Sequence, residues 1–165
     1  MREQRTRQET RDMGDINIRP AEKRDVGRIV ELMQNLTITT SAVEAGGAST
    51  LPEYEEIFDQ IAGDPNHHLL VVEMNGQIVG SADLLIVSNL SHRGLPWAVV
   101  ENVIVAEHVR RRGIARTLML HLIDLAKRQR CYKVGLSSNK DRFPAHRMYE
   151  SLGFKQYGFG YRIYF

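Results

Sequence analysis

Apolar positions recur at helical spacing in four stretches of the chain and at strand spacing in several others. Val26, Ile29, Val30, Met33 and Leu36 predict a first helix over about residues 22–36, beginning just after Arg19-Pro20-Ala21. The Thr-, Ser-, Gly- and Ala-rich residues 37–49 read as a loop. Thr50-Leu51-Pro52-Glu53 has the form of a capping box with proline in the first turn, and Tyr54, Ile57, Phe58 and Ile61 continue that helix to Gly63. Residues 69–74 and 77–87 are strand-like runs joined by Asn75-Gly76, a strong hairpin signal.

After a loop over residues 88–96, residues 97–105 predict a long strand. Strict alternation along it puts Glu101, Val103 and Val105 on one face and Asn102 and Ile104 on the other. Ala115, Leu118, Met119, Leu122, Ile123 and Ala126 mark an amphipathic helix from Gly113 to about residue 130, and residues 132–137 form the strand that follows. Strand, helix and strand in that order imply a parallel crossover. Phe143-Pro144 opens a last helix with Met148, Tyr149 and Leu152 on its inner side, and Gly153 sits where a left-handed cap belongs. Residues 154–157 and 160–165 are expected as two closing strands.

A chain of 165 residues suits one domain. Residues 1–14 read as a flexible, polar N-terminal extension without the apolar stretch of a secretory signal, and 15–165 as the folded unit. No apolar run approaches the roughly 20 residues of a membrane helix, so no membrane partner is expected. Cys131 is the single cysteine, which leaves no intrachain disulfide and makes a reducing, cytoplasmic location the default. His67-His68 and His146 lack the spacing of a metal site, and none is expected.

Charge divides along the sequence. Residues 1–107 hold 9 Lys+Arg against 17 Asp+Glu, whereas 108–165 hold 13 against 3. The C-terminal part suits a polyanion and the N-terminal part a cation. Arg110-Arg111-Arg112 come with no recognition helix and no interleaved aromatic residues, so a nucleic-acid partner is not expected.

The densest chemical signal is Arg110-x-x-Gly113-x-Ala115, placed between a strand and a long helix. The first amide groups of that helix have no partner within it and lie at its positive dipole end, which makes them an anion site. Glycine lets the backbone approach a ligand closely. Arg110, Arg111, Arg112 and Arg116 add countercharge suited to phosphates.

This stretch resembles the pyrophosphate-binding signature of the GNAT N-acetyltransferase superfamily, Gln/Arg-x-x-Gly-x-Gly/Ala, with Ala115 in place of the commoner second glycine. Arg19-Pro20-Ala21, the Asn75-Gly76 hairpin, Cys131-Tyr132-Lys133-Val134-Gly135-Leu136 and the segment from Ala145 through Tyr149 to Gly153-Phe154 follow in family order, so the resemblance covers about residues 15–165. It implies an α/β (α+β) GNAT fold: a central mixed, mostly antiparallel sheet of six to seven strands flanked by about four helices. It implies acetyl-CoA as co-substrate and acetyl transfer to an amine. Backbone groups of Val103, Ile104 and Val105 would pair with the pantetheine arm as an added strand. Arg110, Arg111, Arg112, Gly113, Ile114, Ala115 and Arg116 would wrap the pyrophosphate. Asn139 matches a position that contacts the cofactor arm, and Tyr149 matches a tyrosine near the thioester sulfur.

An alkyl ammonium has a pKa near 10.4, so making it nucleophilic at pH 7 costs roughly 4–5 kcal/mol. Glu101, expected to share a strand face with Val103, is the candidate general base, and Tyr149 the candidate proton donor to the leaving thiolate. Glu44, Asp83 and Arg93 are candidate substrate residues, the acids for a cationic amine and Arg93 for an anionic group on it. The acceptor reads as a small-molecule amine. A peptide or protein N-terminus is the alternative acceptor, and a non-catalytic acyl-CoA-binding regulatory module the alternative class. The family's habit of dimerising through late strands, with the aromatic residues 159–165, makes a homodimer an expectation as well.

Overall fold

A computed structural model describes residues 16–34 and 49–163. Strand β1 (Ile16–Pro20) is followed by a 3-10 turn and helix α1 (Val26–Gln34), then α2 (Leu51–Gly63). The hairpin strands β2 (His67–Met74) and β3 (Gln77–Val87) lead to β4 (Trp97–Val105), α3 (Ile114–Arg128), β5 (Val134–Leu136) and α4 (Phe143–Ser151). The sheet runs in chain order, β1-β2-β3-β4-β5. Its pairs are antiparallel except β4 with β5, which the α3 crossover makes parallel.

Local sequence explains most boundaries. Asn75 and Gly76 both take positive φ, 53° and 76°, as a type I′ hairpin turn requires. Thr50 and Glu53 close the expected capping box at the start of α2. Residues 78–84 of β3 are all buried, so the central strand is covered on both faces. Leu118, Met119, Leu122 and Ala126 carry α3 into the same core as Val71, Val72, Leu84 and Val100.

Three expectations change. Residues 16–20 form an edge strand rather than the approach to a helix: Ile16 and Ile18 alternate with Asn17 and Arg19, and Pro20 ends the strand where no ladder N–H is needed. Arg19 then ties this edge to its neighbours through a two-pronged bond to Asp25 (2.7 and 3.1 Å) and a bond to Glu73 (2.9 Å). The sheet has five strands, not six or seven, among the described residues, because residues 154–163 form no strand. Tyr157, Phe159, Tyr161 and Ile163 do alternate, but all four are exposed, at 99%, 87%, 91% and 77%. The tail has strand periodicity without a partner strand among the described residues.

The third change is in β4. Asp83 faces Glu101 and Ser81 faces Ile104, so the one residue between them on β3, Ala82, stands against two on β4, Asn102 and Val103. The extra residue is a β-bulge with Asn102 in the left-handed region at φ 53°. Alternation breaks there. Glu101 shares its sheet face with Ile104, the partner of Ser81, and not with Val103, which corrects the face assignment read from the sequence.

Candidate active site

β4 and β5 pair over three residues only, Ala98–Val100 against Val134–Leu136. Beyond that the strands part. Residues 101–105 keep β3 on one side and have no strand on the other among the described residues, which leaves an open backbone edge leading from Glu101 to the arginine loop. Val105 is buried and Val103 half-buried; the Ala106 amide bonds to the Val79 carbonyl of β3 and backbone groups alternate along a strand, so Ile104 also faces β3 and the peptide groups of Val103 and Val105 are the ones that can meet a ligand at this edge. One of these is already occupied: Arg110 folds back and donates from Nε to the Val105 carbonyl at 3.1 Å.

The loop beyond β4 turns through two left-handed residues, Arg111 at φ 63° and Gly113 at φ 80°, the latter being the cap of α3. Ile114 is buried in the core, while Arg110, Arg111, Arg112, Gly113 and Arg116 are exposed. Thr117 is the first α3 residue whose amide bonds back, to the Gly113 carbonyl at 3.0 Å. Ahead of it, the amides of residues 111–116 have no acceptor among the described residues. They form a run of donors at the positive end of a 15-residue helix. Arg116 reaches across to Ser151 Oγ at 2.9 Å and ties this loop to α4.

At the far side of the groove, α4 ends in a Schellman cap. The Phe154 amide donates to the Tyr149 carbonyl at 3.1 Å and the Gly153 amide to that of Glu150 at 2.9 Å, with Gly153 at φ 93°. The hydrophobic contact typical of that cap is here the edge-to-face packing of Phe154 on Tyr149, 6.0 Å between centroids. Thus the Tyr149 ring is fixed by the way its helix stops. Burial raises its pKa, the negative field of Glu101 adds to this and Arg142 opposes it. The phenol stays protonated and able to donate.

Glu101 and Tyr149 are therefore brought within electrostatic reach of each other. Partial burial raises the Glu101 pKa, the tail residue Arg162 opposes this, and Asp83 opposite adds to it. A carboxylate with raised proton affinity is a better base near neutral pH than an ordinary one.

The other candidates scatter. Asp83 is 4% exposed, and its two oxygens accept from His67 Nε2 (2.8 Å) and Asn102 Nδ2 (2.9 Å). Arg93 occupies an exposed turn at the opposite end of β4 from the arginine loop, held by His92 stacked 3.9 Å from Tyr132. Asn139 is exposed beyond β5, with Oδ1 accepting from the Asp141 amide at 2.9 Å. Glu44 lies outside the described residues. Two groups escaped the sequence reading. Arg162 gave no signal beyond its charge. Ser138 Oγ, just past the point where β5 leaves β4, is buried with no hydrogen-bond partner among the described residues.

Known proteins resemble this chain in sequence and in fold. Residues 32–154 match the family model described as the acetyltransferase (GNAT) family. A glucosamine 6-phosphate N-acetyltransferase of Trypanosoma brucei brucei is 28% identical over 146 residues, 87% of this chain and 92% of that protein. An aminoalkylphosphonate N-acetyltransferase of Salmonella typhimurium strain LT2 is 28% identical over 141 residues, 81% of this chain and 90% of that protein. The crystal structure of glucosamine-6-phosphate N-acetyltransferase from Arabidopsis thaliana superimposes with a TM-score of 0.78 at 25% identity, covering 92% of this chain and 99% of that one. With a matching family model over most of its length, and with β4 and β5 parting beside a glycine-capped helix start, this chain belongs to the GNAT acetyltransferase family and is an acyltransferase.

Proposed function

We propose that the protein transfers the acetyl group of acetyl-CoA to the primary amine of a small molecule, by direct attack while both substrates are bound. The observation that carries this reading is the groove itself. It runs from unpartnered amides at residues 111–116, along the open edge of β4, to Glu101 and Tyr149. The loop amides and Arg111, Arg112 and Arg116 would hold the diphosphate, and the peptide groups of Val103 and Val105 would align the pantetheine arm, with Asn139 on the opposite wall. Glu101 would take a proton from the ammonium group, and the phenol of Tyr149 would return one to the departing sulfur. Because the amine adds directly, no protein nucleophile is needed.

The curated relatives act on an aminosugar phosphate and on aminoalkylphosphonates, which supports an acceptor carrying both an amine and a phosphorus oxyanion. Arg162, whose charge acts on Glu101, would meet such an anion, and Arg93 is the second candidate for it. We also propose that a second copy of the chain covers the exposed Tyr157, Phe159, Tyr161 and Ile163, since a strand-like row of large apolar side chains is a poor match to water.

The test is a panel of amines, including glucosamine 6-phosphate, an aminoalkylphosphonate, an aminoglycoside and a peptide N-terminus, scored by coenzyme A release. Glu101→Gln is expected to lower kcat by about a hundredfold or more, and Tyr149→Phe to lower it with little change in coenzyme A affinity. Wild-type rates in both across neutral pH would show that the proton carriers lie elsewhere. Coenzyme A binding with no acetylation of any amine would favour the regulatory-module reading.

A further inference from the structure

We propose that His67, Asp83 and Asn102 form a positioning bridge that holds the β4 bulge, and with it the Glu101 carboxylate, in place for proton removal. This rests on the reading of Glu101 as the base. Asp83 sits at 4% exposure in the middle of the central strand, where its neighbours Ala82 and Leu84 are at 0%. A carboxylate in such a place needs a partner for each oxygen. It receives one from each side: His67 Nε2 from β2 at 2.8 Å and Asn102 Nδ2 from β4 at 2.9 Å. One side-chain chain thus crosses three strands and ends on the bulge residue.

Asn102 has a conformation that few residues other than glycine tolerate, φ 53°, and asparagine tolerates it because its short amide can bond nearby. Here that amide reaches across the strand pair to Asp83. The residue so anchored is covalently flanked by Glu101 and Val103. Hence the bridge sets the direction of the proposed base, the residue that directly precedes Asn102. Stability alone does not account for the arrangement. Buried ionic groups can often be replaced by apolar ones at no loss, and Asp83 stands directly opposite Glu101, where like charges are unfavourable. Placed there, Asp83 also acts on Glu101 through its field. The groups around Glu101 are Asp83 from β3, Arg162 from the tail and Tyr149 from α4, with Arg142 near the phenol; His67 is flanked by Asp83 and His68.

The test uses the fastest acceptor of the amine panel and compares Asn102→Ala, His67→Gln, His67→Phe and Asp83→Asn with Glu101→Gln. Asn102→Ala and His67→Phe are expected to lower kcat by about tenfold to a hundredfold, the usual consequence of a slightly misplaced reacting group, while calorimetric affinity for coenzyme A stays within about twofold. His67→Gln, whose amide can still donate to Asp83, should restore most of the rate lost in His67→Phe. Asp83→Asn keeps a hydrogen-bonding shape but removes the charge facing Glu101, so the acid limb of kcat/KM should move to lower pH. The bridge is refuted if Glu101→Gln is slow but the other variants keep the wild-type kcat and acid limb. It is equally refuted if they lose rate only in step with Tm, with the acid limb unmoved. Full activity of Glu101→Gln would instead remove the base assignment, and the bridge with it.

Discussion

Replacing Gly113 with alanine tests the proposed anion site where it is most exposed to backbone physics. Gly113 caps α3 at φ 80° and ψ −4°. An L-residue in that region costs roughly 1–2 kcal/mol. Losing the freedom of glycine in the unfolded chain returns about 0.4–1 kcal/mol, which leaves a net destabilisation of about 1 kcal/mol. For a domain of this size that is a fall in Tm of roughly 2–4 °C. The larger effect should be on binding. Either the loop keeps its shape and a methyl group intrudes on the ligand, or the strain relaxes by rotating the amides of residues 111–116 away. A hydrogen bond to a charged group is worth about 1.5–3 kcal/mol, so losing one such amide weakens coenzyme A binding by roughly ten- to a hundredfold. Isothermal titration with coenzyme A, alongside a thermal melt, reads both quantities. Arg111→Gly is the converse control, because Arg111 at φ 63° already bears the left-handed conformation. It should leave Tm within about 2 °C and affect affinity only through one lost charge. Wild-type affinity in Gly113→Ala together with the expected drop in Tm would mean that the helix start is strained but holds no diphosphate, and the cofactor site would have to be sought elsewhere.

Asp25→Ala removes the partner that Arg19 holds with two bonds, and should destabilise by about 2–3 kcal/mol, below the usual range for a broken buried pair because Arg19 keeps Glu73. Burial works to raise the Asp25 pKa, yet the Arg19 bonds, the Glu22 amide and the charges of Arg19 and Arg24 outweigh it and hold the group below its ordinary value. Its contribution to stability is therefore present above the usual aspartate pKa and lost as pH falls through the lower folded one, so wild type and Asp25→Ala should converge in denaturant melts at strongly acid pH. Gly80→Ala puts a methyl 3.0 Å from the Ile104 carbonyl and should cost about 1–3 kcal/mol by pushing β3 and β4 apart beside the bulge, read as a lower denaturation midpoint. Tyr157→Ser with Tyr161→Ser should convert a dimer to a monomer in sedimentation equilibrium, and an unchanged mass would show that the aromatic row is not the contact.

The elements were legible in the sequence wherever a local rule fixes them. Asn75-Gly76 set the hairpin, Thr50 to Glu53 the cap of α2, Gly113 the start of α3, and Gly153 the left-handed residue at the end of α4. Glu101 and Tyr149 were singled out from the family pattern, though the reason given for the direction of Glu101, strict alternation with Val103, does not survive the bulge. Edge strand β1 was missed because five residues ending in Arg-Pro carry too little alternation to stand apart from a helix start. The tail shows the opposite failure: period-two aromatics promise strands, but a strand needs a partner, and periodicity does not supply one.

By itself, then, the sequence determined what depends on neighbouring residues: turns, caps, amphipathic faces, and the glycine and arginines at the start of α3 that we propose bind an anion. Only the tertiary structure decided what depends on residues far apart in the chain. The parting of β4 from β5 after three pairs, the bulge that turns Glu101, the burial of Asp83 between His67 and Asn102, and the buried hydroxyl of Ser138 all arise from cross-strand register and packing. Those are set by which distant segments share a core, and no local pattern records them.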